Sequence, residues 1–221
     1  LASAMAVSAV DKVEIRGPVA TVEEGAVYTW GPQEFAGFYY DIDDNIGQES
    51  ITLTITGDAL EEPNGIIYQT VAQQDDFDFD EWGQFWTIAF MAEEYFAGYV
   101  EDDYYNAYLY EDSTDYNLMV GEQLTKVLIN DDEERTFTTG TPLTLADGYE
   151  LVIQEIDVDN GVYVQLMKGE QVVDSAVVEP SKDGATIEDK TYAYKKDMGD
   201  TEDIIVIAVH FKNAFRGADQ D

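Results

Sequence analysis

The stretch Phe35–Thr56, FAGFYYDIDDNIGQESITLTIT, decides how the chain is read. Its second half alternates. Ile51, Leu53 and Ile55 fall on one side and Ser50, Thr52, Thr54 and Thr56 on the other, the period of a strand with one buried face. Its first half, Phe35 to Ile42, carries aromatic residues at both parities, which predicts a strand covered on both faces. Asp43-Asp44-Asn45-Ile46-Gly47 between them accepts positive φ or folds back on its own backbone, so the whole predicts a hairpin at the centre of a β domain. Nothing in it is a catalytic pattern.

Upstream, Val13–Arg16 reads as a short strand ended by Gly17-Pro18, and Ala26–Trp30 as another ended by Gly31-Pro32, because proline brings no N–H to a ladder. Downstream, Pro63-Asn64-Gly65 marks a turn before a strand over Ile66–Ala72. From Gln74 to Gly83, Asp76, Asp78 and Asp80 alternate with Phe77 and Phe79, which predicts carboxylates on one face and rings on the other. Phe85–Met91 is apolar at both parities, as in a central strand. Phe96-Ala97-Gly98-Tyr99 echoes Phe35-Ala36-Gly37-Phe38; the echo is attributed to glycine allowing close approach beside a ring, not to a repeat. Tyr104–Tyr110 is aromatic-rich and fits neither period.

After Gly121 the texture changes. A strand over Gln123–Asn130 and an acidic turn over Asp131–Glu134 lead to a meander of Tyr149–Asp157, Val162–Met167 and Val172–Val178. Its turns are Asp159-Asn160-Gly161, whose Asn-Gly pair favours a type I′ hairpin, and Lys168-Gly169-Glu170. Tyr192 and Tyr194 begin a further strand. The most continuous apolar run, Asp203–Lys212, is expected to be buried on both faces and to return into the first subdomain's sheet. The expected fold is all-β, with two linked antiparallel, sandwich-like subdomains. Residues 1–122 form an acidic subdomain, 123–189 a meander, and 190–221 return strands that pack on the first.

Charge sharpens this division. The 221 residues hold 11 Lys+Arg against 47 Asp+Glu, a net charge of -36, while 45% hydrophobic and 13% aromatic content are globular values. From Gly17 through Thr125 there are 24 acidic residues and no Lys or Arg; from Lys126 to Asp221 there are 9 basic and 21 acidic. The boundary near position 123 follows from that shift. Such a surface repels nucleic acid and anionic lipid and collects cations, so nucleic acid is excluded as a partner. The plain reading of the uneven charge is a solvated acidic surface; the sharper one is that the less acidic half of one copy meets the acidic half of another, or that divalent ions such as Ca or Mg bridge acidic interfaces.

Zero cysteines exclude disulfides, thiol catalysis and cysteine-ligated metals. Leu1–Val10, LASAMAVSAV, is small and apolar, and Ala2-Ser3-Ala4 or Val7-Ser8-Ala9 fits the pattern before a signal-peptidase cut. Residues 1–9 are either the tail of a signal peptide or a mature N-terminal arm, and both imply export. No run approaches about 18 apolar residues, so no transmembrane segment is predicted.

The sequence nominates no catalytic, cofactor-binding or metal-binding residue, and it is read as a non-enzyme. His210, the lone histidine, lies inside a strand-like run and is read as structural; no Ser lies in G-x-S-x-G and no Gly-rich loop precedes a Lys. The carboxylates are too many for any pair to stand out as a glycosidase site. Asp41-Ile42-Asp43-Asp44-Asn45 opens like an EF-hand loop, but Ile46 replaces the required Gly and Thr52 the required Glu. Looser oxygen-only binding by Asp41, Asp43 and Asp44, or by Asp76, Asp78 and Asp80, is the remaining metal hypothesis.

Taken in order, Glu14-Ile15-Arg16-Gly17, Trp30-Gly31-Pro32, Phe35–Asp44, Tyr95–Tyr99, Lys126–Ile129, Gly148–Leu151 and Phe215-Arg216-Gly217 resemble the S-layer domain family of methanogenic archaea. The resemblance implies two linked β subdomains, an extracellular cell-surface location and a structural role in a porous lattice, and it carries over no catalytic residues. Members of that family are N-glycosylated, whereas none of the seven Asn residues here lies in N-x-S/T. The expected partner is the chain itself, in an extended lattice, sheath or filament. The alternative is an exported carbohydrate- or protein-binding module using the rings of Tyr99–Tyr116.

Overall fold

The computed structural model describes residues 20–101, 108–111, 118–119, 123–199 and 201–216. Strand β2 (Glu49–Thr56) is central to the first sheet. It pairs antiparallel with β1 (Val27–Trp30) on one side and β4 (Ile66–Thr70) on the other, and its end with the two-residue β3 (Ala59–Leu60). The expected hairpin partner Phe35–Ile42 is not a strand. Gly31 O accepts from the amides of Glu34 and Phe35, and Phe35 O accepts from Phe38, so local turns take up the backbone donors that a ladder would need. Phe35 meets Phe38 edge-on at 4.8 Å, and a Cβ on Gly37 would lie 2.6 Å from the Phe35 ring. A single bridge, Asp41 to Ile46, is what remains of the predicted hairpin. The expected contrast between the faces of β2 is also weaker than its sequence pattern, since Ser50 to Ile55 are all half-buried.

A second ladder runs β5 (Gln73–Asp76), β6 (Gln84–Phe90), β7 (Glu93–Tyr99) and β8 (Thr125–Lys126). As expected, β6 is central, and Asp76, Asp78 and Asp80 are exposed while Phe77 and Phe79 turn inward. Only Gln73–Asp76 of that stretch is strand; Asp80–Trp82 is a single 3-10 turn. The predicted strand over Gln123–Asn130 shrinks to Thr125–Lys126. Phe96–Tyr99 is extended where Phe35–Phe38 is turned, so the sequence echo has no structural counterpart. Tyr108–Glu111 forms one helical turn, α1. The predicted strand at Val13–Arg16, the segment 1–9 and Tyr104 and Tyr105 lie outside the described residues.

The meander forms as expected: β10 (Tyr149–Ile156), β11 (Val162–Lys168) and β12 (Gln171–Val178), with β9 (Pro142–Thr144) added at the edge in the order β12-β11-β10-β9. On β11 the alternation is clean, with Val162, Val164 and Leu166 buried and their neighbours half-buried. The Asn160-Gly161 turn is longer than a type I′ hairpin. Asn160 adopts φ 63, but the Asp157 carboxylate accepts from the amides of Asp159 and Gly161, both at 2.8 Å, and organises a loop from 157 to 161. A Cβ on Gly161 would meet Asp157 Oδ2 at 2.6 Å, so only glycine lets the carboxylate in.

A short helix, α2 (Ile187–Lys190), carries a capping box between Thr186 and Asp189, and leads into β13 (Thr191–Met198), which pairs with β14 (Thr201–His210). This hairpin has two apolar sides. Tyr192, Tyr194, Ile207 and Val209 join the meander core of Tyr149, Leu151, Val162, Val164, Leu166 and Val178. Ile205, Ala193 and Ala208 join Tyr99, Tyr108, Leu109, Phe96 and Phe77. Among the described residues β14 pairs with β13 alone, not with the β5–β8 ladder. The meander and the hairpin share one core face to face, a sandwich-like arrangement.

Two compact units result: Leu1–Ala72 with Ile88–Glu94, and Gln73–Thr87 with Tyr95–Asp221.

Candidate functional site

The residues with chemical potential are placed in structural roles. His210 ends β14, half-buried, with its ring 4.5 Å from that of Phe79 and Nδ1 3.3 Å from Thr191 Oγ1. Burial pushes its pKa below the ordinary histidine range, with Glu81 opposing and Lys190 reinforcing the shift. A ring packed at a tilt against phenylalanine and kept neutral is a packing element.

The two carboxylate trios are separated by their own hydrogen bonds. Asp41 Oδ1 accepts from the amides of Asp43 at 2.8 Å and Asp44 at 3.2 Å, which makes it the organiser of its turn. Asp76 Oδ1 accepts from Gln84 Nε2 at 2.6 Å. Asp78 exchanges two bonds with Asn130, accepting from Nδ2 at 2.8 Å and donating its amide to Oδ1 at 3.1 Å. Among the described residues no three Asp, Glu or His side chains converge as they would on a metal ion.

The carboxylate that the structure singles out is one that sequence reasoning missed. Glu49, 1% exposed at the start of β2, accepts from the Tyr68 hydroxyl at 2.7 Å through Oε1, and from the amides of Tyr39 at 2.8 Å and Ala92 at 3.0 Å through Oε2. The amide of Met91 donates to Tyr68 Oη at 3.3 Å. Burial first, and the Glu49 bond second, hold the Tyr68 hydroxyl neutral above its usual range. The network fixes the Met91-Ala92 turn, where both residues sit at positive φ, 51 and 66. Its job is mechanical. The signal was readable, since Glu49 shares the parity of Ile51, Leu53 and Ile55.

What faces solvent is open sheet edge and charge. Between Ala20 and Ala72, and from Ile88 to Glu94, there are twelve acidic residues and no basic one. In the second unit the edge strand β12 exposes Val172, Val173 and Val177. An edge with unpaired backbone groups and apolar side chains is a template for another chain. The aromatic stretch suggested as a sugar platform is turned inward at its described members, with Tyr99 and Tyr108 buried. Tyr116 and the Tyr110 side chain lie outside the described residues. No described helix is long and apolar enough to cross a membrane.

Open antiparallel ladders, a heavily acidic exterior and a buried carboxylate given over to holding a turn define a structural β-domain chain. A profile of the family described as "S-layer protein" matches residues 19–221, and the chain belongs to that family. It is similar to the "Major S-layer protein" of Methanosarcina barkeri (strain Fusaro), 31% identical over 212 residues, covering 93% of this chain and 28% of that protein. The protein of the same description in Methanosarcina mazei is 30% identical with the same coverage. That of Methanosarcina acetivorans is 30% identical over 237 residues, covering 97% of this chain and 32% of the relative. The chain therefore spans less than a third of the length of these relatives.

Proposed function

We propose that this chain is a structural subunit of an archaeal cell envelope, self-assembling into an S-layer or sheath-type lattice outside the cell and acting there as an acidic molecular sieve. The observation that carries the reading is the family match over residues 19–221. The geometry supports it. Apolar valines on the exposed edge strand β12 suit chain-to-chain pairing. An exterior at net charge -36 repels large anions while small cations pass and accumulate. In this reading the chain does no catalysis, and its partners are further copies of itself. Divalent cations at acidic interfaces between copies belong to the same reading, because a surface this acidic collects them.

Negative-stain electron microscopy of the purified protein, with and without millimolar calcium, tests the reading. Sheets, hoops or tubes are the expected result, and their shape separates a flat lattice from a sheath. Dispersed particles at every concentration and salt, together with saturable glycan binding, would replace it with the exported binding module.

A further inference from the structure

On so acidic a chain, positive charge gathered in one place calls for a reason. Tyr149 opens β10 directly after the 3-10 turn Ala146–Gly148, and its cross-strand partner on β11 is Lys168. Lys168 Nζ lies 4.3 Å from the Tyr149 ring centroid. Lys196 Nζ, from β13, lies 5.9 Å from the same centroid and 6.0 Å from that of Tyr194. Lys196 also donates to Tyr149 Oη at 3.2 Å. Among the described residues Asp147 is the carboxylate in salt-bridge contact here, its Oδ2 lying 2.7 Å from Lys168 Nζ, and it also faces the charge of Lys196. Within this described group two ammonium heads meet one carboxylate, and both lysines are exposed.

Cation–π contact with a buried ring holds the ammonium heads in place, so little side-chain freedom remains to be lost when an anion arrives. The anion that suits the cluster is on the chain itself. In the first unit the turn Ile42–Asp44 presents exposed Asp43 and Asp44 beside Ile42, which is 81% exposed. That turn is also rigid. Asp41 Oδ1 caps the Asp43 and Asp44 amides, the Asp41–Ile46 bridge closes its base, and Tyr40 Oη donates to Asn45 Oδ1 at 2.6 Å.

We infer that Lys168 and Lys196, gathered on the Tyr149 ring, seat the acidic turn Ile42–Asp44 of a second copy of this chain. The inference rests on the lattice reading above and names one of its contacts. A unit-one turn on a unit-two seat is a heterologous contact, so it propagates from copy to copy instead of closing on a two-fold axis. One exposed ion pair is weak, and repetition at every copy makes it count.

The test has two arms on the whole chain. In the first, a mixture of unlabelled and nitrogen-15 copies is treated with a zero-length carbodiimide, and intermolecular cross-links are mapped by mass. Links from Lys168 or Lys196 to Asp43 or Asp44 are expected. In the second, Lys168→Gln with Lys196→Gln is expected to raise the assembly threshold about fivefold, the scale of losing two exposed pairs. Lys168→Glu with Lys196→Glu should block assembly, and Asp43→Lys with Asp44→Lys on the mixing partner should restore it. Wild type that assembles with its links elsewhere, or a Gln variant that assembles at the wild-type threshold, overturns the seat and leaves the lattice standing. Wild type that never associates and yields no intermolecular link overturns both.

Discussion

Replacing Glu49 by alanine is the perturbation that most directly tests how the first unit is held. The side chain is 1% exposed and accepts three hydrogen bonds, from Tyr68 Oη, Tyr39 N and Ala92 N. Truncation leaves those donors facing a cavity, frees Ala92 from the bond that offsets its positive φ, and takes the acceptor from Tyr68, whose hydroxyl holds the Met91 amide. Each buried donor left without an acceptor costs about 1–3 kcal/mol, so three of them cost about 3–5 kcal/mol after partial relaxation. Glu49→Gln keeps the shape and one carbonyl acceptor for the two amides, so it should cost about 1–2 kcal/mol. Tyr68→Phe removes one bond and should cost a similar amount, about 1–2 kcal/mol. Native-state hydrogen exchange suits the chain because it reports each amide separately in a two-unit protein. The Tyr39 and Ala92 amides should lose protection in Glu49→Ala. Amides of the meander strand β11 should keep theirs. The double variant Glu49→Ala with Tyr68→Phe should cost less than the sum of the singles, since both remove the same bond. A Glu49→Ala protein within about 1 kcal/mol of wild type at Tyr39 and Ala92 would refute the claim that this carboxylate organises the unit.

Other expectations are more local. Leu166→Ala empties a fully buried site on β11 and should lower stability by about 2–5 kcal/mol in urea unfolding, with β11 amides losing protection first. Gly161→Ala should lengthen the loop's conformational range, because the new Cβ displaces the Asp157 carboxylate from the Asp159 and Gly161 amides; Asp157→Asn, which keeps an acceptor, should be milder. His210 has its pKa lowered by burial, so the unfolded chain binds the proton more readily than the folded one. Its contribution is intact above the unfolded value near 6.5 and is lost as pH falls through the lower folded value. Stability should therefore drop on acidification from about 6.5 down to the lower folded value, and His210→Phe should flatten that drop when unfolding is followed across the range.

How much of this was legible follows the physics of each segment. Strands β4, β6, β10, β11 and β12 are readable because each is a run with apolar residues at strand spacing between glycine, asparagine or proline turns, and nothing local competes with the ladder. Phe35–Ile42 has the same composition yet folds as turns, because Gly31, Gly37 and the Glu34 carboxylate offer the backbone closer partners; Gly31 N donates to Glu34 Oε2 at 2.9 Å. The Asn160-Gly161 pair loses to a carboxylate four residues upstream for a similar reason. Sequence sets out the candidates for a backbone hydrogen bond but not their final geometry. Glu49 was hidden among 47 acidic residues, although its parity on β2 sets it apart from carboxylates on solvent faces. The cluster at Tyr149 was hidden too. Lys168 and Lys196 are far apart in the chain and meet through the tertiary packing of β11 and β13.

Net charge then constrains how copies can meet. At -36 per copy the long-range force between two chains is repulsive. Ions screen it beyond about 8–10 Å at moderate salt, so any attraction must act at contact. Besides divalent-ion bridges, two kinds of contact are available, and they answer to salt with opposite signs. Burial of Val172, Val173 and Val177 on the β12 edge strengthens as repulsion is screened. The Lys168–Lys196 seat weakens, because salt screens attraction as well. Assembly followed by light scattering should therefore rise and then fall as salt increases. With Lys168→Gln and Lys196→Gln the falling limb should disappear and the rise remain. A wild-type curve that climbs without a maximum would mean that the apolar edges carry the lattice alone.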